Sequence, residues 1–224
     1  MVARRESPSG ARQPAEERVP SSTDGLVISY LTLRKALGVL GVALPFVLAV
    51  GDSILGDGRG LQPTISDYYG TGMRDVFVGL LFAMGLFLFS YRGFDWRDEL
   101  AGKLACLFAI GVALFPTTSA LRWVRVVHFA SAAALFLTLA VFSLFLFTRT
   151  AAGTQPTPQK LKRNRVYRAC GIIILACVAA IAVAGALPDQ ALLASLKPIF
   201  WLETVALWAF GFSWLTKGQF LLQD

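Results

Sequence analysis

One histidine, His128, and one glutamate set inside an apolar run, Glu203, are the residues of this 224-residue chain best placed to do chemistry. Ionisable groups at membrane depth are costly to keep, so they point to binding or relay sites. With Asp67 and Asp75 they offer the oxygen and nitrogen donors that zinc or a similar divalent ion accepts, and such an ion would activate water for hydrolysis of a lipid. The same atoms have a use without metal: Glu203 pairs with Arg74, Arg122 or Arg125, Asp75 caps a helix, and His128 hydrogen-bonds at the membrane interface. A third use is a proton relay between His128 and Glu203 in a transporter. No inverted repeat is evident and other helices lack mid-membrane charge, so transport ranks behind binding.

Six apolar runs must position these groups. Hydrophobic residues make up 55% of the chain and charged ones 16%, a balance that belongs to the bilayer rather than to a soluble domain. The predicted spans are 36–54, 75–91, 101–116, 126–147, 169–187 and 199–216. All are expected to be helical, since lipid offers the backbone no other partner and no alternating pattern suggests a barrel. The second and third have apolar stretches of only about 15 residues, roughly 23 Å of helical rise, and would thin the bilayer or extend through their polar flanks. Asp75, His128 and Glu203 then lie within roughly 8 Å of the outer boundary, at one depth. On the fourth helix His128, Ser131 and Thr138 share a face, and on the sixth Glu203, Ala206, Phe210 and Ser213 do. Both faces are expected to look inward.

The first outer loop, residues 51–75, is richer than a plain connector. It joins glycines to Ser66, Asp67, Tyr68, Tyr69, Arg74 and Asp75. Gly56, Gly58 and Gly60 have the spacing of a phosphate loop but lack the preceding strand, so they read as turn formers.

Charge sets the expected orientation. With an inside amino terminus, sixteen of the 21 basic residues fall inside: Arg4, Arg5, Arg12, Arg18, Arg34, Lys35, Arg92, Arg97, Lys103, Arg149, Lys160, Lys162, Arg163, Arg165, Arg168 and Lys217. Both termini are therefore expected in the cytoplasm. Trp123 and Trp201 would mark the outer interface, and Trp96 and Trp214 the inner one. The net charge of +7 is concentrated in these segments without a recognition fold, which argues against a nucleic-acid partner. The connection Arg149–Arg168 carries six basic residues and no acidic one; positive-inside anchoring accounts for it first, and anionic lipid headgroups are its natural partners.

Residues 1–28 are polar and mixed in charge, and read as a disordered cytoplasmic tail before a transmembrane domain over 29–224. No secretory signal pattern is present, so the first span is expected to direct insertion. Cys106, Cys170 and Cys177 lie in apolar helices as small packing residues, and no Cys/His zinc spacing occurs. Ala176, Ala180 and Ala184 offer the fifth helix a small face for a close neighbour.

The stretches Ile65-Ser-Asp-Tyr-Tyr-Gly, Met73-Arg-Asp-Val-Phe-Val-Gly79 and Ala113-Leu-Phe-Pro116 resemble bacterial six-span membrane proteins of a family of unknown function, distantly similar to the DRAM and Sfk type. The resemblance covers about residues 29 to 224. It implies the six-helix fold, carries onto Ile65, Ser66 and Asp67, and leaves the activity open. Membrane hydrolases of the alkaline ceramidase and adiponectin-receptor type instead use a serine, an aspartate and several histidines around zinc on seven helices. This chain has one histidine and six predicted spans.

The expectation is thus an all-α, six-helix protein of a bacterial cytoplasmic (inner) membrane with both termini inside. Its outer loop would fold over a polar pocket that takes a lipid-like or other amphiphilic ligand. The alternative is a metal-dependent membrane hydrolase; binding is favoured over catalysis.

Overall fold

The structure is a computed structural model that describes residues 22–56, 60–150, 153–186 and 195–221. Of the expected disordered tail, 1–28, residues 1–21 lie outside the described residues, and 22–28 are not a tail but the first turns of a helix that begins at Ser22. Among the described residues six long helices carry the fold: α1 (Ser22–Leu55), α2 (Arg74–Phe89), α3 (Trp96–Leu114), α4 (Arg122–Val141), α5 (Pro158–Ala186) and α6 (Pro198–Lys217). A short 3-10 turn, Ser66–Gly70, precedes α2, and a π-helical turn, Phe142–Leu146, continues α4. No strand occurs among the described residues.

Within α1 the segment Tyr30–Leu55, α4 with its π turn, α5 and α6 are each long and apolar enough to cross a bilayer, which makes this a helical membrane protein. The helices α2 and α3 stand apart, for the reason their sequences suggest: α2 has 16 residues, and the first turns of α3 carry Arg97, Asp98, Glu99 and Lys103. α5 starts eleven residues before the predicted span, at Pro158, so Lys160, Lys162, Arg163, Arg165 and Arg168 ride on a helix rather than in a loop.

Each helix packs on its neighbours in sequence, and α6 returns to α1, closing a ring. Without a hydrophobic gradient between lipid and protein, such a ring is held by close packing and a few interhelical hydrogen bonds. The tightest crossing joins α1 to α6. A Cβ at Gly211 would lie 2.7 Å from the Gly38 carbonyl oxygen and 2.6 Å from Val42 Cγ2, so only glycine lets the two backbones approach this closely. Between the π turn and α6, the buried hydroxyls of Ser143 and Ser213 bond at 2.9 Å.

The expected inward stripe on α6 is present: Ala206, Phe210 and Ser213 are fully buried. Trp214 departs from expectation. It is no interfacial anchor but the hub of an aromatic core, with Tyr91 and Phe147 each at 5.0 Å between centroids, Phe142 at 5.6 Å and Phe210 at 6.0 Å. Such aromatic pairs contribute about 0.5–1.5 kcal/mol each beyond burial. Trp96, Trp123 and Trp201 are exposed. The alanine face of α5 is also displaced. Ala176 is exposed, and the buried side is Tyr167, Cys170, Gly171, Ile174 and Cys177, where larger neighbours fill the space.

Candidate functional site

The 3-10 turn is built locally and then fastened to a distant helix. The Thr64 hydroxyl accepts the Asp67 amide at 3.1 Å, and the Thr71 hydroxyl donates to the Tyr68 carbonyl at 3.1 Å. Glu203, one turn into α6, accepts the Ile65 amide through Oε2 at 2.6 Å, and the Phe200 amide donates to the Pro63 carbonyl at 3.1 Å. Glu203 therefore answers a backbone donor of the loop. The expected arginine partners are elsewhere: Arg74 donates to the Tyr69 hydroxyl at 3.0 Å and stacks on that ring, Arg125 donates to the Ser119 carbonyl at 2.6 Å, and Arg122 is exposed at the head of α4.

His128 is 2% exposed and its Nδ1 lies 2.6 Å from the Phe115 carbonyl oxygen. A carbonyl only accepts, so Nδ1 is the donor of this bond. Asp67 accepts the Thr117 hydroxyl at 2.9 Å, which ties the 3-10 turn to the connection between α3 and α4.

These tethers aim Ser66, Asp67, His128 and Glu203 into one cavity of about 620 Å³. Thr64 and Thr117 complete its polar end. The wall below is apolar, with Phe129 and Phe136 from α4 facing Val178, Ile181 and Ala182 from α5. Phe129 is 59% exposed, and Ala133, Ala182 and Gly185 are exposed too, so this wall runs out to the lipid-facing surface.

The other expected site residues do not line this cavity. Tyr68 is buried beside Phe200 at 6.4 Å, its hydroxyl accepts the Gln62 amide at 3.5 Å, and burial pushes its pKa up. Tyr69 and Arg74 are occupied with each other. Asp75 is exposed in the first turn of α2, where the helix dipole favours a carboxylate, but the residue before the helix is Met73 and no side chain caps it. As a result, Asp67, Asp75, His128 and Glu203 do not assemble as a ligand set. Among the described residues no group of three or more His, Cys, Asp and Glu side chains is placed to hold a metal ion. The reason is geometric: equal depth fixes height along the bundle, while α2 lies on a different side of the ring from the cavity between α4, α5 and α6.

Sequence reasoning did not find Thr117 or the α5 wall. Thr117 follows a proline in a short connection, which marks a turn but names no partner. The α5 residues are as apolar as those that face lipid.

No protein-family model, no curated protein and no solved structure matches this chain.

Proposed function

We propose that the chain is a six-span protein of a bacterial cytoplasmic membrane, both termini inside, that binds a lipid-like or other amphiphilic ligand at the outer leaflet. The observation that carries this reading is the grading of one cavity. Carboxylates, hydroxyls and an imidazole stand at one end, and aromatic and aliphatic side chains continue from there to the lipid-facing surface. A volume of about 620 Å³ is in the range of small-molecule sites, and a polar head with an apolar tail is the ligand chemistry that such a lining matches.

Orientation is supported by charge. The bundle end opposite His128 carries Arg34, Arg92, Arg149, Lys160 and Lys217, as the positive-inside rule requires of the cytoplasmic face. With α2 and α3 crossing as well, the closed ring of sequence neighbours has six passes. Kinship with the six-span bacterial proteins is part of the same reading and rests on Ile65-Ser66-Asp67, the element that Glu203 fastens.

The test is mass spectrometry of small molecules that co-purify with the detergent-extracted protein, beside folded Ala182→Trp and Asp67→Asn variants. An amphiphile retained by the parent chain and depleted in both variants is expected. Equal recovery from all three overturns the assignment.

A further inference from the structure

The polar end of the cavity of about 620 Å³ is rich in hydrogen-bond acceptors and has no fixed cation. Asp67 and Glu203 both line it, and among the described residues no lysine or arginine does. One oxygen of each carboxylate is already in use: Asp67 Oδ1 accepts the Thr117 hydroxyl at 2.9 Å, and Glu203 Oε2 accepts the Ile65 amide at 2.6 Å. Asp67 Oδ2 and Glu203 Oε1 receive no hydrogen bond from a described residue, and neither carboxylate joins an ion pair with one. The nearest arginines in sequence are committed elsewhere, Arg74 to the Tyr69 hydroxyl and Arg125 to the Ser119 carbonyl.

Ser66 supplies an independent sign that something answers this end of the cavity. It is 7% exposed and lines the same space, yet its hydroxyl makes no hydrogen bond to a described residue. A hydroxyl so enclosed costs free energy unless a partner reaches it. The two carboxylates add a second cost, since their charges stand near enough to repel.

The chemistry of the missing partner follows from these three acceptors. A phosphate, sulfate or carboxylate head would meet two like charges and no lysine or arginine. A head of hydroxyls alone would leave the repulsion standing. A divalent ion is not served either, because no third His, Cys, Asp or Glu side chain is placed with the two to hold it among the described residues. A protonated primary amine carries three N–H donors, no acceptor and one positive charge, which answers the open oxygens and the repulsion together.

We infer that the head of the ligand is a protonated primary amine, held by Asp67, Glu203 and Ser66, with its alkyl chain running past Phe129 and Ala182 toward the lipid. This rests on the reading of the cavity as an amphiphile site and adds the charge and donor chemistry of the head. Two sources share that chemistry, a single-chain amine and an aminophospholipid.

The experiment follows thermal unfolding of the full chain in neutral detergent at neutral pH. Three probes share one tail: dodecylamine, dodecyltrimethylammonium and dodecanoate. Dodecylamine should raise the melting temperature of the parent chain. The trimethylammonium compound, equal in charge but without N–H donors, and dodecanoate, opposite in charge, should each require about tenfold more or fail to protect. Phosphatidylethanolamine in mixed micelles, with phosphatidylcholine as the blank, separates the sources: protection by it assigns an aminophospholipid, and protection by dodecylamine alone assigns a single-chain amine. Asp67→Asn and Glu203→Gln keep acceptors for Thr117 and Ile65 but remove a charge, so each should raise the dodecylamine concentration needed by about tenfold. Asp75→Asn, outside the cavity, should leave it unchanged. Equal protection by dodecylamine and either of the other two tailed probes overturns the amine head and leaves the amphiphile site standing. Protection by none of the probes overturns both. The comparison of heads is made on the parent chain, so it holds even where a variant does not fold.

Discussion

Glu203 in α6 and Ile65 at the head of the 3-10 turn are 138 residues apart in sequence and are joined by a 2.6 Å hydrogen bond. The bond makes a membrane-embedded carboxylate the anchor of an extramembranous loop. Replacing Glu203 by Gln keeps an acceptor for the Ile65 amide, whereas Leu leaves that amide unpaired at a cost of about 1–3 kcal/mol. Hydrogen exchange at residues 64–70 should therefore stay slow in Glu203→Gln and become fast in Glu203→Leu. Fast exchange in both would mean that the negative charge, and not the acceptor, fastens the turn.

His128 is expected to matter to the fold as well as to the cavity. Its Nδ1 donates to the Phe115 carbonyl, which ends the last turn of α3. His128→Leu removes the donor and should lower stability by about 1–3 kcal/mol. Thermal unfolding in detergent measures it; an unchanged midpoint would show that water or another donor replaces the imidazole.

The clamp at Asp95 gives the protein an acid limb. Hydrogen bonding to the Arg149 guanidinium holds the Asp95 carboxyl at about 2, below its ordinary 3.8. A carboxyl with a lower pKa in the folded state stabilises the fold above its unfolded pKa, and that contribution fades as pH falls from about 4 toward 2. Unfolding midpoints recorded across that window should fall for the parent chain and fall less for Asp95→Asn. Parallel curves would remove Asp95 from the acid response.

The crossing of α1 and α6 predicts a steric effect. Gly211→Leu would drive a side chain into Val42 and the Gly38 carbonyl, and overpacking of this kind costs about 1–3 kcal/mol or more. A lower melting temperature with altered Trp214 fluorescence is expected, since Trp214 lies one turn further along α6. A neutral outcome would mean that the helices separate without loss.

The parts of this protein legible from its sequence are those in which one residue type has one use. Polar and small residues repeating along α6 had to face inward, and Ala206, Phe210 and Ser213 do. Depth along a helix follows from counting residues, so Asp75, His128 and Glu203 were expected at one level, and of these His128 and Glu203 line one cavity. Azimuth does not follow from counting. Asp75 shares their depth yet lies on a helix turned away from them. Backbone partners are invisible to side-chain typing, which is why Glu203 was expected beside an arginine and meets the Ile65 amide instead. In an apolar helix, residues facing lipid, core and cavity look alike, so Ile181 and Ala182 carried no signal. Trp214 shows the same ambiguity: an amphipathic ring near a helix end suits both an interface and an aromatic core.

The π turn at Phe142–Leu146 acts as a rotary offset in α4. Phe147 closes it by donating its amide to the Phe142 carbonyl at 2.9 Å, a bond one residue wider than an α-helical one. One added residue turns everything beyond it by about 100° relative to an uninterrupted α-helix. That offset brings Phe147 back to the azimuth of His128, so the two halves of α4 present a single inner face, polar at one end and aromatic at the other. Forcing the turn into uninterrupted α-helical geometry with all its residues kept would swing Phe147 off Trp214 and Arg149 off Asp95 together, leaving the His128 end in register. The two ends of the bundle are thus indexed to each other through one extra residue.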